Sequence, residues 1–232
     1  PEGDVQIRVI YSTLNYKDGL VLKGQGGLVR NYPHVPGIDL IGIVEDSQAA
    51  GFAKGDRVIC TGYRVGEAWW GGYATHASLK SEWLVKAPGG LSDIQAMAIG
   101  TAGFTAMQCV LALEKQGVTP DSGEVLVTGA GGGVGSVAVA ILSKLGYSVT
   151  AGSGRAELAD YFTDLGASGM IGREELTELA KRPLQSERFA GAVDTVGGDL
   201  LAGVLTAMKY KGVVAACGLA GGAKLPTTVI PF

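Results

Sequence analysis

The sequence lacks three features that mark large classes of proteins: long apolar runs, paired cysteines and an excess of basic residues. None of its apolar runs reaches the roughly 18 residues of a membrane-spanning helix. Its three cysteines, Cys60, Cys109 and Cys217, are far apart and odd in number, which argues against a disulfide framework and favours a reducing compartment. The formal net charge of -3 argues against nucleic acid or an anionic membrane as a partner. We therefore expect a cytoplasmic protein with no nucleic-acid and no membrane partner.

The start of the chain also lacks a secretory signal, because Pro-Glu-Gly-Asp provides neither a basic nor an apolar segment. Pro1 is not an initiator methionine, so we expect residues to precede it. A hydrophobic content of 47% supports buried cores, and 38 glycines indicate many tight turns. The length of 232 residues fits one large domain or two smaller ones.

The most informative stretch is VLVTGAGGGVG, which begins at Val125 and places a glycine cluster directly after an apolar β-branched run. An apolar segment with a helical period follows, so strand, glycine turn and helix come in the order of a phosphate site. In the register of the dinucleotide fingerprint, the three glycine positions hold Ala130, Gly132 and Gly135. Gly129 or Ala130 would make the turn, Gly132 would let the backbone approach a pyrophosphate, and Gly135 would allow close helix–strand packing. A glycine-rich turn without a ligand is the alternative.

Strands and helices alternate throughout the second half of the chain. Five strands are predicted, at 125–128, 148–151, 169–171, 191–195 and 212–216. Four helices are predicted between them, at 136–145, 156–165, 173–180 and 199–208. This alternation predicts a doubly wound parallel sheet. A full dinucleotide-binding sheet has about six strands, so we expect the sequence to stop before the last one.

The first half contains short strands and turns instead. Strands are predicted at 5–11, 38–44, 57–61 and 83–86, a turn and a strand at 71–77, and one short helix at 18–22. Short strands at close spacing predict a small antiparallel β barrel. A helix-compatible stretch at 92–116 follows, with a break or a close approach expected at Gly103 and Phe104.

Several motifs resemble one protein family. Pro36–Gly42, Gly55–Val58 and Gly71–Ala74 come in the order typical of medium-chain dehydrogenases/reductases. Four further segments resemble the acrylyl-CoA reductase subfamily of the quinone-oxidoreductase branch: 14–18, 30–33, 100–106 and 216–222. The resemblance implies an α/β protein with a GroES-like β-barrel catalytic domain at 1–98 and a Rossmann NADP-binding domain, incomplete at its C-terminus, at 99–232.

The sequence predicts no metal site. Zinc members of this family carry Gly-His-Glu where this chain has Gly37, Ile38 and Asp39, and an isoleucine side chain cannot ligate a metal. The segment 15–18, where such enzymes keep a zinc-binding cysteine, has none. Asp39 is interpreted as a turn or capping carboxylate. Without a Lewis acid, alcohol oxidation loses the stabilisation of its alkoxide, whereas reduction of an activated C=C bond stays feasible.

The second strand of the Rossmann-like half indicates which nicotinamide binds. NAD enzymes place an acidic residue about 20 residues beyond the glycine motif, where it holds the ribose 2′-hydroxyl. This chain has Gly152, Ser153, Gly154 and Arg155 there, and arginine can bind a 2′-phosphate in a bidentate manner. We therefore predict NADP(H). The alternative is that Ser153 caps the following helix and Arg155 is a solvated surface charge.

Asn15, Tyr16 and Asp18 are the candidate catalytic residues of the first domain. Asn15 can hydrogen-bond an oxyanion or a ribose, and Tyr16 can orient substrate or relay a proton. The alternative is that Asn15 and Asp18 cap the following helix and Tyr16 packs in the core. The resemblance and the carboxyl ends of the predicted strands give the candidate cofactor-binding residues. They are Tyr16, Thr101, Thr105, Gly132, Gly133, Val134, Ser153, Arg155, Val196, Cys217, Gly218, Leu219, Thr228 and Phe232.

Several other side chains allow both a functional and a purely structural interpretation. Cys217 is interpreted as a small wall residue rather than a nucleophile, because no basic partner is evident near it. Arg30 and Arg64 can meet the phosphates of a CoA substrate, or be ordinary surface charges. Trp69 and Trp70 can line an acyl pocket, or simply pack as aromatic residues. Thr101 can equally be an ordinary threonine at a helix start.

Together with the resemblance, these residues predict a zinc-independent, NADPH-dependent reductase. It would transfer hydride to the C=C bond of an α,β-unsaturated acyl-CoA such as acryloyl-CoA, and the resemblance implies a homodimer. One alternative is an NADPH quinone or enone oxidoreductase. Another, of a different class, is a non-catalytic NADPH-binding sensor or structural protein.

Overall fold

The computed structural model describes residues 2–232, which divide into two compact units. The first unit ends at Thr101 and the second begins at Ala102.

The first unit is built on a five-stranded antiparallel sheet with the strand order β4-β1-β2-β3-β5. Its strands are β1 (Val5–Tyr11), β2 (Asp39–Ser47), β3 (Arg57–Thr61), β4 (His76–Leu79) and β5 (Val85–Lys86). Residues 71–77, predicted as a turn and a strand, follow in that order, and the strand begins at His76. The amides of Gly71 and Gly72 donate to the carbonyls of Val35 and Gly37 rather than to a neighbouring strand.

Two helices belong to this half of the chain, and both differ in detail from the prediction. Helix α1 (Tyr16–Leu22) begins two residues earlier than expected. Helix α2 (Asp93–Lys115) begins in the first unit and ends in the second, and its one non-helical residue is Gly100, with φ 44° and ψ -155°. Of the break or close approach predicted at Gly103 and Phe104, the break is wrong, because both residues are helical and the chain bends before them.

Helix α2 is the one helix within residues 2–232 that is long and apolar enough to cross a membrane by length and composition alone. Core helices of soluble proteins pass the same criterion. The apolar side chains of α2 pack in protein cores: Ala96 and Met97 in the first unit, and Val110 and Leu113 in the second.

The second unit confirms the predicted parallel sheet of five strands, with the order β10-β9-β6-β7-β8. Its strands are β6 (Val125–Thr128), β7 (Val149–Ser153), β8 (Gly169–Gly172), β9 (Phe189–Asp194) and β10 (Met208–Ala216). Its helices are α3 (Gly133–Lys144), α4 (Ala159–Asp164), α5 (Arg173–Leu179) and α6 (Gly198–Thr206). Alternate residues of β6 enter different apolar clusters, Val125 and Val127 with α3 and α4, and Leu126 with α5 and α6. Both faces of the sheet are thus covered, as in a doubly wound fold.

Candidate active site

A buried carboxylate at the start of β2, Asp39, is the centre of the polar cluster in the first unit. Its side chain is fully buried and accepts three hydrogen bonds. They come from Asn15 Nδ2 at 2.8 Å, Thr101 N at 2.9 Å and Thr101 Oγ1 at 2.6 Å. Ser12 Oγ donates to the main-chain carbonyl of Asp39 at 2.6 Å. Because a buried charge is costly unless it is hydrogen-bonded, Asp39 fixes Asn15 and Thr101 at one point.

The sequence interpretation of Asp39 as a capping carboxylate describes part of this arrangement. Asp39 caps the second segment of α2, through an amide that lies 62 residues further along the chain. The role of Asp39 in holding Asn15 was missed. The available signal was its position, since it replaces the glutamate of the Gly-His-Glu motif of zinc members.

The kink in α2 makes room for this contact. Gly100 has a positive φ that side chains rarely adopt, and a Cβ atom there would lie 2.8 Å from Asp39 Oδ2. The glycine therefore lets the carboxylate approach the first amide of the second helical segment.

Asp18 has the geometry of a scaffold residue. It is fully buried, and its Oδ2 accepts a hydrogen bond from the amide of Asn15 at 2.9 Å. Its Oδ1 accepts from the amides of Gly37 at 3.2 Å and Ile38 at 3.0 Å. Of the two roles that the sequence left open for Asp18, capping of α1 matches these contacts.

Two tyrosines near this cluster behave differently. Tyr16 is 68% exposed, so the alternative that it packs in the core is wrong. Tyr73, which sequence reasoning quoted only as part of a motif, donates its hydroxyl hydrogen bond to Thr13 O at 3.1 Å. Burial, with the negative charge of Asp18 as the next cause, raises the pKa of Tyr73 to about 12. Tyr73 is therefore protonated at neutral pH.

In the second unit, Gly129 rather than Ala130 makes the turn of the glycine motif, since Gly129 has φ 60° and Ala130 is an ordinary buried residue. Helix α3 follows at once, starting at Gly133 with Gly132 as its N-cap. The predicted close packing at Gly135 is confirmed, because a Cβ there would collide with the Gly129 carbonyl. Gly132 and Gly133 are exposed, so a phosphate can approach the first amides of α3, which have no intrahelical partners.

Two arginines lie at the end of β7. Arg155 Nη2 donates to Gly131 O at 2.7 Å, and the Arg155 amide donates to Ser153 Oγ at 3.1 Å. Arg173, the first residue of α5, lies against Gly154, where a Cβ atom would be 3.1 Å from its Nε. In the described part of the chain, neither guanidinium is ion-paired with a carboxylate. Sequence reasoning missed Arg173, although its position directly after β8 was available as a signal.

The ends of three strands of the second unit are tied together by Asp194. Its side chain is fully buried, and its carboxylate accepts hydrogen bonds from Thr128 Oγ1 at 2.6 Å and from the amide of Gly197 at 2.8 Å. Its carbonyl accepts the amides of Cys217 at 2.8 Å and Gly218 at 3.2 Å. These contacts fix the two segments that carry the predicted residues Val196, Cys217, Gly218 and Leu219.

Cys217, directly after β10, is poorly suited to act as a nucleophile. Its contact with the Cys109 thiol, followed by burial, raises the pKa of Cys217 above its usual range. A cysteine with a raised pKa stays a thiol at neutral pH and is a poor nucleophile.

The remaining predicted residues have few contacts. Val134 packs against the core of the second unit, and Thr105 on α2 is half-buried. Thr228 and Phe232 are exposed in the segment that follows β10. Across residues 2–232 there is no group of three or more His, Cys, Asp or Glu side chains that could hold a metal ion.

Comparison with known proteins shows similarity along the whole chain. Residues 1–89 match the alcohol dehydrogenase GroES-like domain family. Acrylyl-CoA reductase AcuI of Ruegeria pomeroyi is 61% identical over all 232 residues, which correspond to 70% of its length.

Two solved structures resemble the whole chain. The yhdH oxidoreductase of Salmonella enterica, in complex with NADP, is 55% identical with a TM-score of 0.95, and the chain covers 71% of it. Bacillus subtilis YhfP, a putative quinone oxidoreductase, is 48% identical over the whole chain, which covers 70% of it. Its structure with NAD bound has a TM-score of 0.94.

Proposed function

Because this chain belongs to the acrylyl-CoA reductase branch of the medium-chain dehydrogenase/reductase superfamily, we propose that it is an NADPH-dependent acryloyl-CoA reductase. The observation that best supports this function is the 61% sequence identity with AcuI in an alignment that covers all 232 residues. The product would be the saturated acyl-CoA, formed by hydride addition at the β-carbon and protonation at the α-carbon.

The second unit has residues that suit NADPH. The exposed amides at Gly132 and Gly133 are suited to the pyrophosphate. Ser153, Arg155 and Arg173 are suited to the 2′-phosphate, since two guanidinium groups without carboxylate partners favour an anion. When bound, NADPH supplies the hydride. We also propose that Thr105, Val134, Val196, Cys217, Gly218, Leu219, Thr228 and Phe232 contribute to the cofactor site.

Asn15 is the proposed hydrogen-bond donor for the substrate. One of its two amide hydrogens is donated to Asp39, so the other is available for the thioester oxygen, where negative charge develops as hydride arrives. Thr101 donates its only hydroxyl hydrogen to Asp39, which leaves its lone pairs to accept a hydrogen bond from the cofactor. Tyr16, exposed on the same helix as Asp18, is the proposed group for orienting substrate or relaying a proton. Asp39 and Asp18 act as positioning residues.

The reaction is tested by following NADPH absorbance in the full-length protein that contains this chain. We expect oxidation with acryloyl-CoA and little with 1,4-benzoquinone. Oxidation with the quinone alone would make the protein a quinone reductase. Thermal stabilisation by NADPH without turnover of either acceptor would indicate a sensor or structural protein.

The choice of cofactor is tested with Arg155→Gln and Arg173→Gln. Each variant should raise the KM for NADPH by roughly tenfold, because a charge-assisted hydrogen bond is lost, and leave the KM for NADH unchanged. Arg182→Gln removes the same charge from an exposed position of the same unit and serves as the control. Equal effects on both cofactors would contradict the assignment of the two arginines to the 2′-phosphate.

We further propose that the domains are 1–98 and 99–232, and that the protein is a cytoplasmic homodimer without nucleic-acid or membrane partners. The acidic balance, with a net charge of -3, supports the absence of such partners. Light scattering on the full-length protein measures the oligomeric state, and cell fractionation tests the location.

A further inference from the structure

A second concave site lies within the first unit, between the segment around Arg30 and the turn around Arg64. It is a cavity of about 290 Å³, lined among others by Arg30, His34, Arg64, Glu67 and Trp70. Small-molecule pockets usually start at roughly 300 Å³, so this cavity can take a group the size of a phosphorylated sugar. None of its lining residues belongs to the Asp39 cluster.

The wall of the cavity is basic, although the chain as a whole is acidic. Two arginines face one carboxylate, Glu67, which is only 8% exposed. That carboxylate is already paired, with Lys17 Nζ at 2.9 Å and with Arg64 Nε at 3.9 Å. Arg30 makes no ion pair with any described residue. The cavity therefore presents uncompensated positive charge, which favours an anionic ligand.

One residue that lines the cavity, His34, has a polar atom without a hydrogen-bond partner among the described residues. His34 Nε2 is shielded from solvent and makes no hydrogen bond to any described residue. Buried polar atoms in native proteins are nearly always hydrogen-bonded. An unpartnered nitrogen beside two arginines is what a site for an oxygen-rich ligand would present.

The turn that carries Arg64 is held in a strained conformation. Tyr63 and Arg64 have φ values of 53° and 59°, in the left-handed region that residues with a side chain rarely adopt. The Arg64 carbonyl accepts three amide hydrogen bonds, from Glu67, Ala68 and Trp69 at 2.9–3.2 Å, and these hold the turn closed. Such strain is retained mainly at functional sites.

We propose that this cavity binds the phosphates of the CoA portion of the substrate, with Arg30 and Arg64 as phosphate ligands. The inference rests on the proposed function. His34 adds a hydrogen bond, and Trp70, oriented by the bond from its Nε1 to Pro33 O at 3.2 Å, offers an aromatic surface to the nucleotide. The cavity adjoins α1, because Lys17 of that helix pairs with Glu67 in the wall. Asn15 directly precedes α1, so the proposed oxyanion donor and the two arginines belong to the same unit.

The experiment compares three thioesters in the full-length enzyme at saturating NADPH: acryloyl-CoA, acryloyl-3′-dephospho-CoA and acryloyl-pantetheine. The double variant R30Q/R64Q should raise the KM for acryloyl-CoA by roughly tenfold or more with an unchanged kcat, since charge-assisted contacts are lost. It should leave the KM for acryloyl-pantetheine, which has no phosphate, unchanged. The control R8Q removes another exposed arginine of the same unit, and it should change neither constant.

The third thioester identifies the phosphate. If R30Q/R64Q and wild type have the same KM for acryloyl-3′-dephospho-CoA, the arginines bind the 3′-phosphate. If the effect persists, they bind the pyrophosphate. An equal rise in KM for acryloyl-CoA and acryloyl-pantetheine, or no rise for either, would overturn the inference.

A binding experiment without turnover tests this inference independently of the proposed reaction. Calorimetry with adenosine 3′,5′-bisphosphate, in protein saturated with NADP⁺, measures the cavity without turnover. R30Q/R64Q should weaken this binding by roughly tenfold, and unchanged binding would overturn the inference. If wild-type protein reduces no thioester, the proposed function fails, and this experiment still decides whether the cavity binds a CoA-like nucleotide.

Discussion

At the scale of single residues, two buried carboxylates of the first unit hold the site in place in different ways. Asp18 uses both oxygens on main-chain amides, and so fixes the path of the backbone. Asp39 uses its oxygens on an asparagine amide, a threonine hydroxyl and one helix amide, and so fixes side chains. The two residues have the same burial and the same charge. Replacing each by asparagine therefore separates positioning of the site from stability of the fold.

We expect Asp39→Asn to lower kcat with acryloyl-CoA by roughly a hundredfold, because Asn15 loses its anchor and the oxyanion its donor. The variant should also lower the free energy of unfolding by about 2–3 kcal/mol, since donors are left facing an amide. Asp18→Asn should cost similar stability but reduce kcat less than about tenfold. Denaturant unfolding and steady-state kinetics give both quantities. Equal losses of kcat in the two variants would show that Asp39 acts only through the fold.

Cys60 makes the free energy of unfolding depend on pH. Burial, and after it the negative charge of Asp39, raises the pKa of Cys60 from 9.0 to about 12. The folded state thus keeps a proton that the unfolded state releases, so this contribution to stability is full below pH 9 and is lost as the pH rises toward 12. We expect the free energy of unfolding to fall over that window, and Cys60→Ala to have a shallower fall. An identical slope in both proteins would contradict the assignment.

At the scale of elements, the sequence predicted whatever depends on local pattern. Alternation and β-branched runs identified β1, β3 and β6 with their bounds, and the regular order of strands and helices identified the parallel sheet. The start of α3 was placed three residues late, because glycines disfavour a helix by propensity, while close packing against Gly129 requires a glycine at position 135.

What the sequence could not predict depends on partners far along the chain. A break or a close approach in α2 was predicted at Gly103 and Phe104, yet the break lies at Gly100, where a carboxylate from β2 reaches the helix. The roles of Asp39 and Arg173 were missed for the same reason: each contacts residues that are remote in sequence. Local propensity carries no information about such contacts.

The kink itself is testable. Gly100→Ala should lower the free energy of unfolding by about 2–4 kcal/mol, because it places a Cβ at positive φ and 2.8 Å from Asp39 Oδ2. It should lower kcat as well, since the added methyl group displaces the carboxylate that holds Asn15. Gly19→Ala in α1 is the control: a Cβ there meets nothing within 4 Å, and we expect a gain of about 0.5–1 kcal/mol. Comparable stability of the two variants would show that the kink is not constrained by Asp39.

At the scale of the whole molecule, two basic sites occur on a protein whose net charge is negative. The chain carries a net charge of -3, which on its own repels both the cofactor and an acyl-CoA. The unpaired arginines at the end of β7 and the basic cavity beside α1 are local exceptions, one in each unit. Two separate basic sites on an acidic protein suit a reaction between two polyanionic molecules.

This distribution predicts a salt dependence that differs between substrates. Raising sodium chloride from about 0.1 M to about 1 M shortens the Debye length from about 10 Å to about 3 Å and screens exposed charges. At saturating NADPH, the KM for acryloyl-CoA should therefore rise several-fold, whereas the KM for acryloyl-pantetheine should stay constant. R30Q/R64Q should have a smaller salt effect on acryloyl-CoA than wild type, since the attracting charges are gone. The same salt dependence in wild type and variant would mean that CoA is attracted by other groups, and that the cavity beside α1 does not contribute to substrate binding.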